Sequence, residues 1–324
     1  MRLTGREVYE KLIHEDKILE LQGQIKFFFG DVDIIVKQKD VVGNIIQEWL
    51  QGWLDKRGIE YAPSENTQMP PDFFLNPDDK TKGLLEVKAF NRNASPGFDI
   101  ADFRMYEEEI VDKPYMLDVD YLIFGYDMSD DGVVVVKDLW IKKVWEITRR
   151  MEEWPINLQI KEGHVHKIRP GVWYSSDTNR NDYSIFRSME DFISAMEETV
   201  YQNDETRREA AQWKRRFLSN YQDYYGEVLD IPRWYEIADS YDLKTQRKIE
   251  KAQEKKQKAE DTYSRLLERE QQVSSKLEEA RIRGNASSIL KEEDRLEKIK
   301  MKIESQALKV SEAVEKYEAL VNRR

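Results

Sequence analysis

The chain has 324 residues, 40 % hydrophobic and 35 % charged, so it can bury a core for two or three domains beneath a charge-rich surface. It contains no cysteine, which excludes disulfide frameworks, zinc–thiolate sites and cysteine nucleophiles. Its net charge of −11 excludes a uniformly basic nucleic-acid binder, although a local basic groove or carboxylates gathered round a cation are compatible with an acidic chain.

No apolar run reaches the length of a membrane span. The N-terminus "MRLTGREVYEKL" lacks the apolar core of a signal peptide, so a cytoplasmic protein with no membrane partner is expected. Thr4-Gly5-Arg6-Glu7 is a capping box that opens a helix. Residues 24–37, "QIKFFFGDVDIIVK", read as a hairpin or one bent strand broken at Gly30-Asp31. Residues 43–57 read as a helix with Ile46, Trp49, Leu50, Trp53 and Leu54 as its apolar stripe and Asn44 as its cap.

Two short strands follow, "DFFL" and "GLLEVKAF", then a polar loop with Asn91, Asn93, Ser95, Pro96 and Gly97. Residues 100–111 read as a helix. "VDYLIFGYDM" and "GVVVVKDLWI" read as strands joined at "SDDG". A helix is expected over 140–152, β structure over "INLQIKEGHVHKIRPGVWY" with a turn at Glu162-Gly163, and helices over 188–228. From Ile249 the spacing alternates between three and four through Ala252, Lys256, Ala259, Tyr263, Leu266, Glu270, Val273, Leu277 and Ala280, a heptad seam with two charged interruptions. "RGNASS" interrupts it, and a second seam runs from Leu296 to Val321. Each arm spans about 60 Å at helical rise. An antiparallel helical hairpin is expected over 241–324, a separate unit from a domain over 1–240. The hairpin holds 21 basic and 17 acidic residues, so the first 240 residues carry −15.

The chemistry concentrates in "PPDFFLNPDDKTKGLLEVKAF". In a strand Glu86 and Lys88 share a face and Val87 turns into the core. If the two strands pair, Asp72 meets Glu86 at one end of the sheet. Two carboxylates there suit Mg²⁺, and the Val87 carbonyl adds a third hard oxygen. Lys88 would orient or deprotonate the attacking water. The acid-x-lysine pattern recurs at Glu15-Asp16-Lys17, Asp78-Asp79-Lys80 and Glu254-Lys255-Lys256, and Pro77-Asp78 rivals Pro71-Asp72. Only Glu86-Val87-Lys88 sits in an apolar strand-like run, and only Asp72 opens a strand. The competing reading is a strand with solvated charges on one face. Glu48, at steps of four from Asn44 and Gly52, is a candidate helical acid; a surface glutamate is the alternative.

"GDVDIIVKQKDVVGNIIQEWL", "NTQMPPDFFLNPDDK", "LLEVKAFN", "SPGFDIADFRMY" and "MLDVDYLIFGY" resemble the NgoBV-type type II restriction endonucleases of the PD-(D/E)xK superfamily, well over residues 1–175 and less closely to about 230. The resemblance implies an α/β (α+β) restriction-endonuclease-like core, a mixed β-sheet flanked by helices, to which the helical hairpin is appended. It also implies Mg²⁺-dependent cleavage of double-stranded DNA by a homodimer, at a GGNNCC-type site, alongside a cognate DNA methyltransferase that acts in the same system without binding. Its motif maps onto Asp72, Glu86 and Lys88, with Glu48 as the helical acid.

Base reading needs Arg or Lys on guanine and Asn or Gln on adenine. Asn66, Thr67 and Gln68 precede the motif, and Asn91, Arg92, Asn93 and Ser95 follow it; Lys167 and Arg169 lie further on. An ordinary polar loop is the alternative for each. His164 and His166 share a strand face with no carboxylate spaced to join them, so a solvated pair is expected. Two other functions compete: a PD-(D/E)xK nuclease of repair or junction resolution, and a catalytically idle DNA-binding scaffold that works through its coiled coil.

Overall fold

The computed structural model describes residues 1–66, 68–175 and 181–322. Two compact units divide the chain, Met1–Tyr241 and Asp242–Arg324.

The first unit begins with α1 (Gly5–Glu10), whose capping box closes as the Glu7 carboxylate accepts from Thr4 N–H at 2.7 Å. Then come β1 (Gln22–Gln24), a hairpin of β2 (Lys26–Phe29) and β3 (Val32–Ile35), and α2 (Val42–Lys56). Next are β4 (Ala62–Pro63), β5 (Phe73–Phe74), β6 (Leu84–Asn91), β7 (Ala101–Asp102), α3 (Phe103–Asp112), β8 (Asp120–Met128) and β9 (Val133–Lys142). The unit closes with β10 (Leu158–Lys161), β11 (His164–Ile168), α4 (Met189–Gln202), α5 (Ala210–Tyr225) and α6 (Trp234–Ile237).

Six strands form one mixed sheet in the order β1-β9-β8-β6-β5-β4. β6 and β8 run parallel, with Glu86 beside Tyr121, and the remaining neighbours are antiparallel. Parallel central strands are covered on both faces, which is why β6 and β8 are apolar almost throughout. On one face Leu85, Val87, Leu122 and Phe124 pack against Val8, Leu12, Ile46, Leu50 and Leu54 of the N-terminal helices. On the other, Leu84, Phe90, Tyr121 and Ile123 join Ile110, Phe192, Trp213 and Phe217.

Two expectations need correction. No α-helix occupies 140–152: β9 runs on to Lys142 and only a short 3₁₀ turn follows at Val144–Glu146. The strand "VVVVKDLWIK" runs one residue past the expected end, and beyond the turn Arg149 bridges Ile185 while the Ile147 and Arg149 carbonyls accept from Gly171 and Asn157 N–H. Asn44 does not cap α2, which starts two residues earlier from a 3₁₀ turn with Val41 at the N-cap and no side-chain cap bond.

The second unit is two helices, α7 (Leu243–Ile282) and α8 (Ala286–Val321). Asn285 caps α8 by accepting from Ser288 N–H at 3.2 Å, and Gly284 takes the left-handed turn with φ +66°. The arms are antiparallel: Arg281 pairs with Glu293 near the turn, and Lys256 lies over the Tyr317 ring far from it. Ala252, Val273, Leu277, Ala280 and Ile299 are the buried part of the seam.

Candidate active site

Asp72 stands immediately before β5, which pairs with the start of β6 through Phe73 and Leu85. Beyond Leu85 that edge of β6 is left to Asp72, whose Oδ2 accepts from Val87 N–H at 2.8 Å. In a strand a residue's N–H and C=O face the same edge, so the Val87 carbonyl faces the Asp72 side too. The other Asp72 oxygen accepts from Gln47 Nε2 at 2.8 Å, which ties α2 to the site.

Glu86 and Lys88 share the face opposite Val87, and Lys88 Nζ lies 2.7 Å from Glu86 Oε1. These charges are not solvated. Glu86 is 4 % exposed, and its Oε2 is buried with no hydrogen-bond partner. Burial pushes the Glu86 carboxyl up to about 7; Lys88 opposes the shift and the Asp72 charge adds to it. Asp72 is also raised by burial, with the Val87 N–H, Lys88 and Gln47 pulling back. Burial works against the Lys88 ammonium, but Glu86, Asp72 and Asp99 outweigh it and raise its pKa. An unpaired buried charge costs several kcal/mol, so the three groups are mutually dependent.

The orphaned Glu86 Oε2 is the clearest sign of a missing partner. A buried acceptor without a donor is expensive. A hard cation would satisfy it and lower both carboxyls at once. Asp72 and Glu86 oxygens with the Val87 carbonyl form a donor set of the kind Mg²⁺, Mn²⁺ or Ca²⁺ accepts. A second acidic group, Glu107, Glu108 and Glu209, has ligand oxygens within 4.8 Å of one another. Glu107 is tied by Trp213 Nε1 at 2.7 Å.

Glu48 does not join the site. It is exposed, and no hydrogen bond or ion pair among the described residues links it to Asp72, Glu86 or Lys88. At 100° per residue it lies nearly opposite the buried stripe of Val42, Ile46, Leu50 and Leu54. Gln47 flanks that stripe beside Leu54 and is the helical side chain that reaches Asp72. The complete stripe carries the signal for Gln47, once Val42 is counted and exposed Trp49 is left out.

The proposed reading residues separate into two kinds. Arg92 is half-buried on the wall of the cleft that Asn93 and Ser95 also line: Nε donates to Asp138 at 2.5 Å, and the guanidinium stacks 4.2 Å from the Tyr174 ring centroid. Gly125 makes this possible, because a Cβ there would sit 2.5 Å from Arg92 Cδ. Arg169 is bound to Asp99 and donates to the Gly97 carbonyl at 2.8 Å, and Lys167 lies 3.8 Å from Asp102. Those cations brace the 91–99 loop. Asn66 and Asn91 close turns by accepting from Gln68 and Asn93 N–H, and Asn93 Nδ2 donates to Asp127 at 2.9 Å. Gln68, Asn93 and Ser95 are exposed, and Asn93 and Ser95 border a cleft of about 460 Å³. Thr67 lies outside the described residues. His164 is not a simple solvated group: its Nδ1 is 2.5 Å from Glu205 Oε1, a partner 41 residues away that no local spacing reveals.

Comparison with known proteins agrees with this arrangement. The sequence model of the NgoBV restriction endonuclease family matches residues 2–241. The chain is 65 % identical to the type II restriction enzyme NlaIV of Neisseria lactamica over 244 residues, which is 75 % of this chain and all of that enzyme. It is 62 % identical to the type II restriction enzyme NgoBV of Neisseria gonorrhoeae over 162 residues, 50 % of this chain and 92 % of that enzyme. The solved structure of NlaIV restriction endonuclease superposes with a TM-score of 0.73 over 75 % of this chain and 98 % of the other. The matched segment holds the whole α/β unit and leaves out the helical hairpin. Endonucleases of this kind work on DNA with a divalent metal ion, and the orphaned oxygen of Glu86 gives such an ion a place. The chain belongs to the NgoBV restriction endonuclease family, and its activity is that of a type II site-specific deoxyribonuclease.

Proposed function

We propose that this endonuclease cleaves double-stranded DNA with Mg²⁺ held by Asp72, Glu86 and the Val87 carbonyl, as a homodimer, at a short site of the GGNNCC type. The observation that carries the reading is the convergence of a buried and a half-buried carboxyl with one ammonium at β6, with Glu86 Oε2 unsatisfied. Bound Mg²⁺ supplies a Lewis acid and lowers the pKa of water. The chain's own groups do the remaining work. Lys88 keeps its proton, because Glu86 and Asp72 favour the ammonium. It therefore donates to the attacking water or to a phosphoryl oxygen and offsets the charge that grows there, rather than acting as a base. The Val87 N–H and the Gln47 amide fix the Asp72 carboxylate in one orientation. Buried walls around Glu86 limit water and strengthen each of these interactions.

Gln68, Asn93 and Ser95 are the side chains best exposed to meet bases or phosphates, with Asn66 and Asn91 shaping their turns. Arg92, Lys167 and Arg169 act by bracing the loop rather than by touching DNA. The enzyme works in the cytoplasm beside a cognate methyltransferase that protects the host's own sites. Residues 1–240 act as the nuclease and DNA-recognition domain, and 241–324 as a separate coiled-coil unit.

The test is plasmid cleavage with Mg²⁺, comparing the wild type with Asp72→Ala and Lys88→Ala. Discrete fragments, lost in both variants, with ends that sequence to one short motif, support the proposal. Scattered nicks would favour a repair or junction nuclease, and intact plasmid under varied salt and metal would leave only a scaffold.

A further inference from the structure

α3 carries a run of acidic side chains, and most of them have a cation. Glu108 lies 3.6 Å from Arg104, Glu109 is 2.7 Å from Lys113, and Asp112 is 2.6 Å from Arg216 of α5. Glu107 differs. It is 1 % exposed, and among the described residues no ion pair reaches it. Its Oε2 accepts from Trp213 Nε1 at 2.7 Å, while its Oε1 is buried without a hydrogen-bond partner.

Glu209 stands at the N-cap of α5 and makes no side-chain cap bond to that helix. An N-cap carboxylate ordinarily accepts from its own helix's free N–H groups. Here one ligand oxygen from each of Glu107, Glu108 and Glu209 lies within 4.8 Å of the others. Trp213, one turn beyond Glu209, fixes the arrangement: its Nε1 also lies 3.1 Å from the Glu107 carbonyl. The indole thus holds one carboxylate oxygen and leaves the other free. Like charges this close repel, and a buried carboxylate without a partner costs several kcal/mol.

We propose that Glu107, Glu108 and Glu209 form a second cation site, for a Ca²⁺-sized divalent ion, that pins the first turn of α5 to α3. The free, buried Glu107 oxygen is the observation that raises the group above an ordinary acidic patch. Glu108 and Glu209 are exposed, so water completes the coordination, as hard cations allow. The spacing selects the ion. Oxygens on opposite sides of Ca²⁺ stand about 4.6–5.2 Å apart, and those on Mg²⁺ about 4.0–4.2 Å, so a spread of up to 4.8 Å takes the larger ion without rearrangement. The site uses none of the groups at β6 and does not rest on the catalytic reading. A proton on Glu107 is the competing occupant.

The experiment is a terbium titration of the full-length chain in the Asp72→Ala background, which disables the metal site at β6. Tb³⁺ takes the oxygen ligands of Ca²⁺, and a neighbouring indole sensitises its emission. Emission should saturate at one equivalent. Ca²⁺ should displace the ion, and Mg²⁺ should need at least 10-fold more. Glu107→Gln and Glu209→Gln should each weaken binding at least 10-fold with unchanged circular dichroism. Trp213→Phe should still bind Tb³⁺ by calorimetry and lose most of the emission, which locates the ion beside that ring. No saturable binding in Asp72→Ala would overturn the site and leave the proton as occupant. Binding that survives both glutamine variants would place the ion elsewhere and overturn it equally. Displacement by Mg²⁺ as readily as by Ca²⁺ would overturn the assignment of the ion.

Discussion

β6 and the β2–β3 hairpin break the rule of apolar inside and polar outside in opposite directions. β6 lies at the centre of the sheet and carries a glutamate and a lysine between Leu84 and Phe90, where a strand covered on both faces should be wholly apolar. The hairpin stands clear of both cores and carries aromatic side chains where solvent should select polar ones. In β6 the exception is maintained by neighbours: each charge has a counter-charge, and Asp72 is held by two donors. In the hairpin no neighbour among the described residues buries the apolar face. A buried exception shows up as shifted titration and an orphaned oxygen; an exposed one shows up as area.

The largest expected effect is in β6. Asp72→Ala, Glu86→Ala or Lys88→Ala should each lower kcat for plasmid cleavage by about 10³-fold or more, because metal and charge stabilisation are worth several kcal/mol in the transition state. Retained activity in any one of them would remove that residue from the site. Next in size, Phe124→Ala in the adjoining core of β8 should lower unfolding stability by about 3–5 kcal/mol in urea titration, whereas Phe28→Ser in the hairpin should change it by less than about 0.5 kcal/mol. Similar losses at both positions would mean that the hairpin is packed.

Metal separates the regions again. Mg²⁺ at about 100 times Kd should stabilise the wild type by about 2.7 kcal/mol, read as a rise in Tm, and Asp72→Ala should abolish the rise. Phe27→Ser/Phe29→Ser should keep it.

A fourth prediction uses a buried carboxyl away from β6. Glu107 is 1 % exposed and its carboxyl is pushed up to about 7, by burial first and then by Glu108 and Glu209, with Trp213 opposing. The folded chain thus holds a proton that the unfolded chain has released near its ordinary value of 4.5. With divalent cations chelated, stability should fall as pH rises from about 4.5 to 7, by about 3 kcal/mol. Glu107→Gln should flatten that slope; an unchanged slope would show that Glu107 is ionised throughout. The smallest effect is expected from ending the chain after Tyr241, where the match to the relatives' family also ends. Cleavage and metal-induced stabilisation should change by less than two-fold if 241–324 is an independent unit.

Much of this architecture was legible in local pattern. The Thr4–Glu7 capping box, the strands on either side of "SDDG", the Glu162-Gly163 turn and the heptad arms all follow from periods of two, three-and-a-half or four and from turn residues. The helix expected at 140–152 failed because long-range backbone bonds, Gly171 N–H to Ile147 and Asn157 N–H to Arg149, and the bridge of Arg149 to Ile185 hold the segment after Glu146. Glu86 and Lys88 were readable as a pair, since strand alternation fixes which side chains share a face, and Asp72 joined them because it opens a strand and because the family resemblance maps onto it.

By itself the sequence determined that Glu86 and Lys88 face one way and Val87 the other, and that two long helical arms close on a Gly-Asn turn. These depend on backbone geometry and nearest neighbours, which the chain encodes locally. Only the tertiary structure decided that Gln47 rather than Glu48 reaches Asp72, that Arg92, Lys167 and Arg169 turn inward to Asp138, Asp102 and Asp99, and that Phe27 and Phe29 stay uncovered. Each of these turns on which surfaces meet across tens of residues, and charge and burial at such contacts are set by packing rather than by spacing.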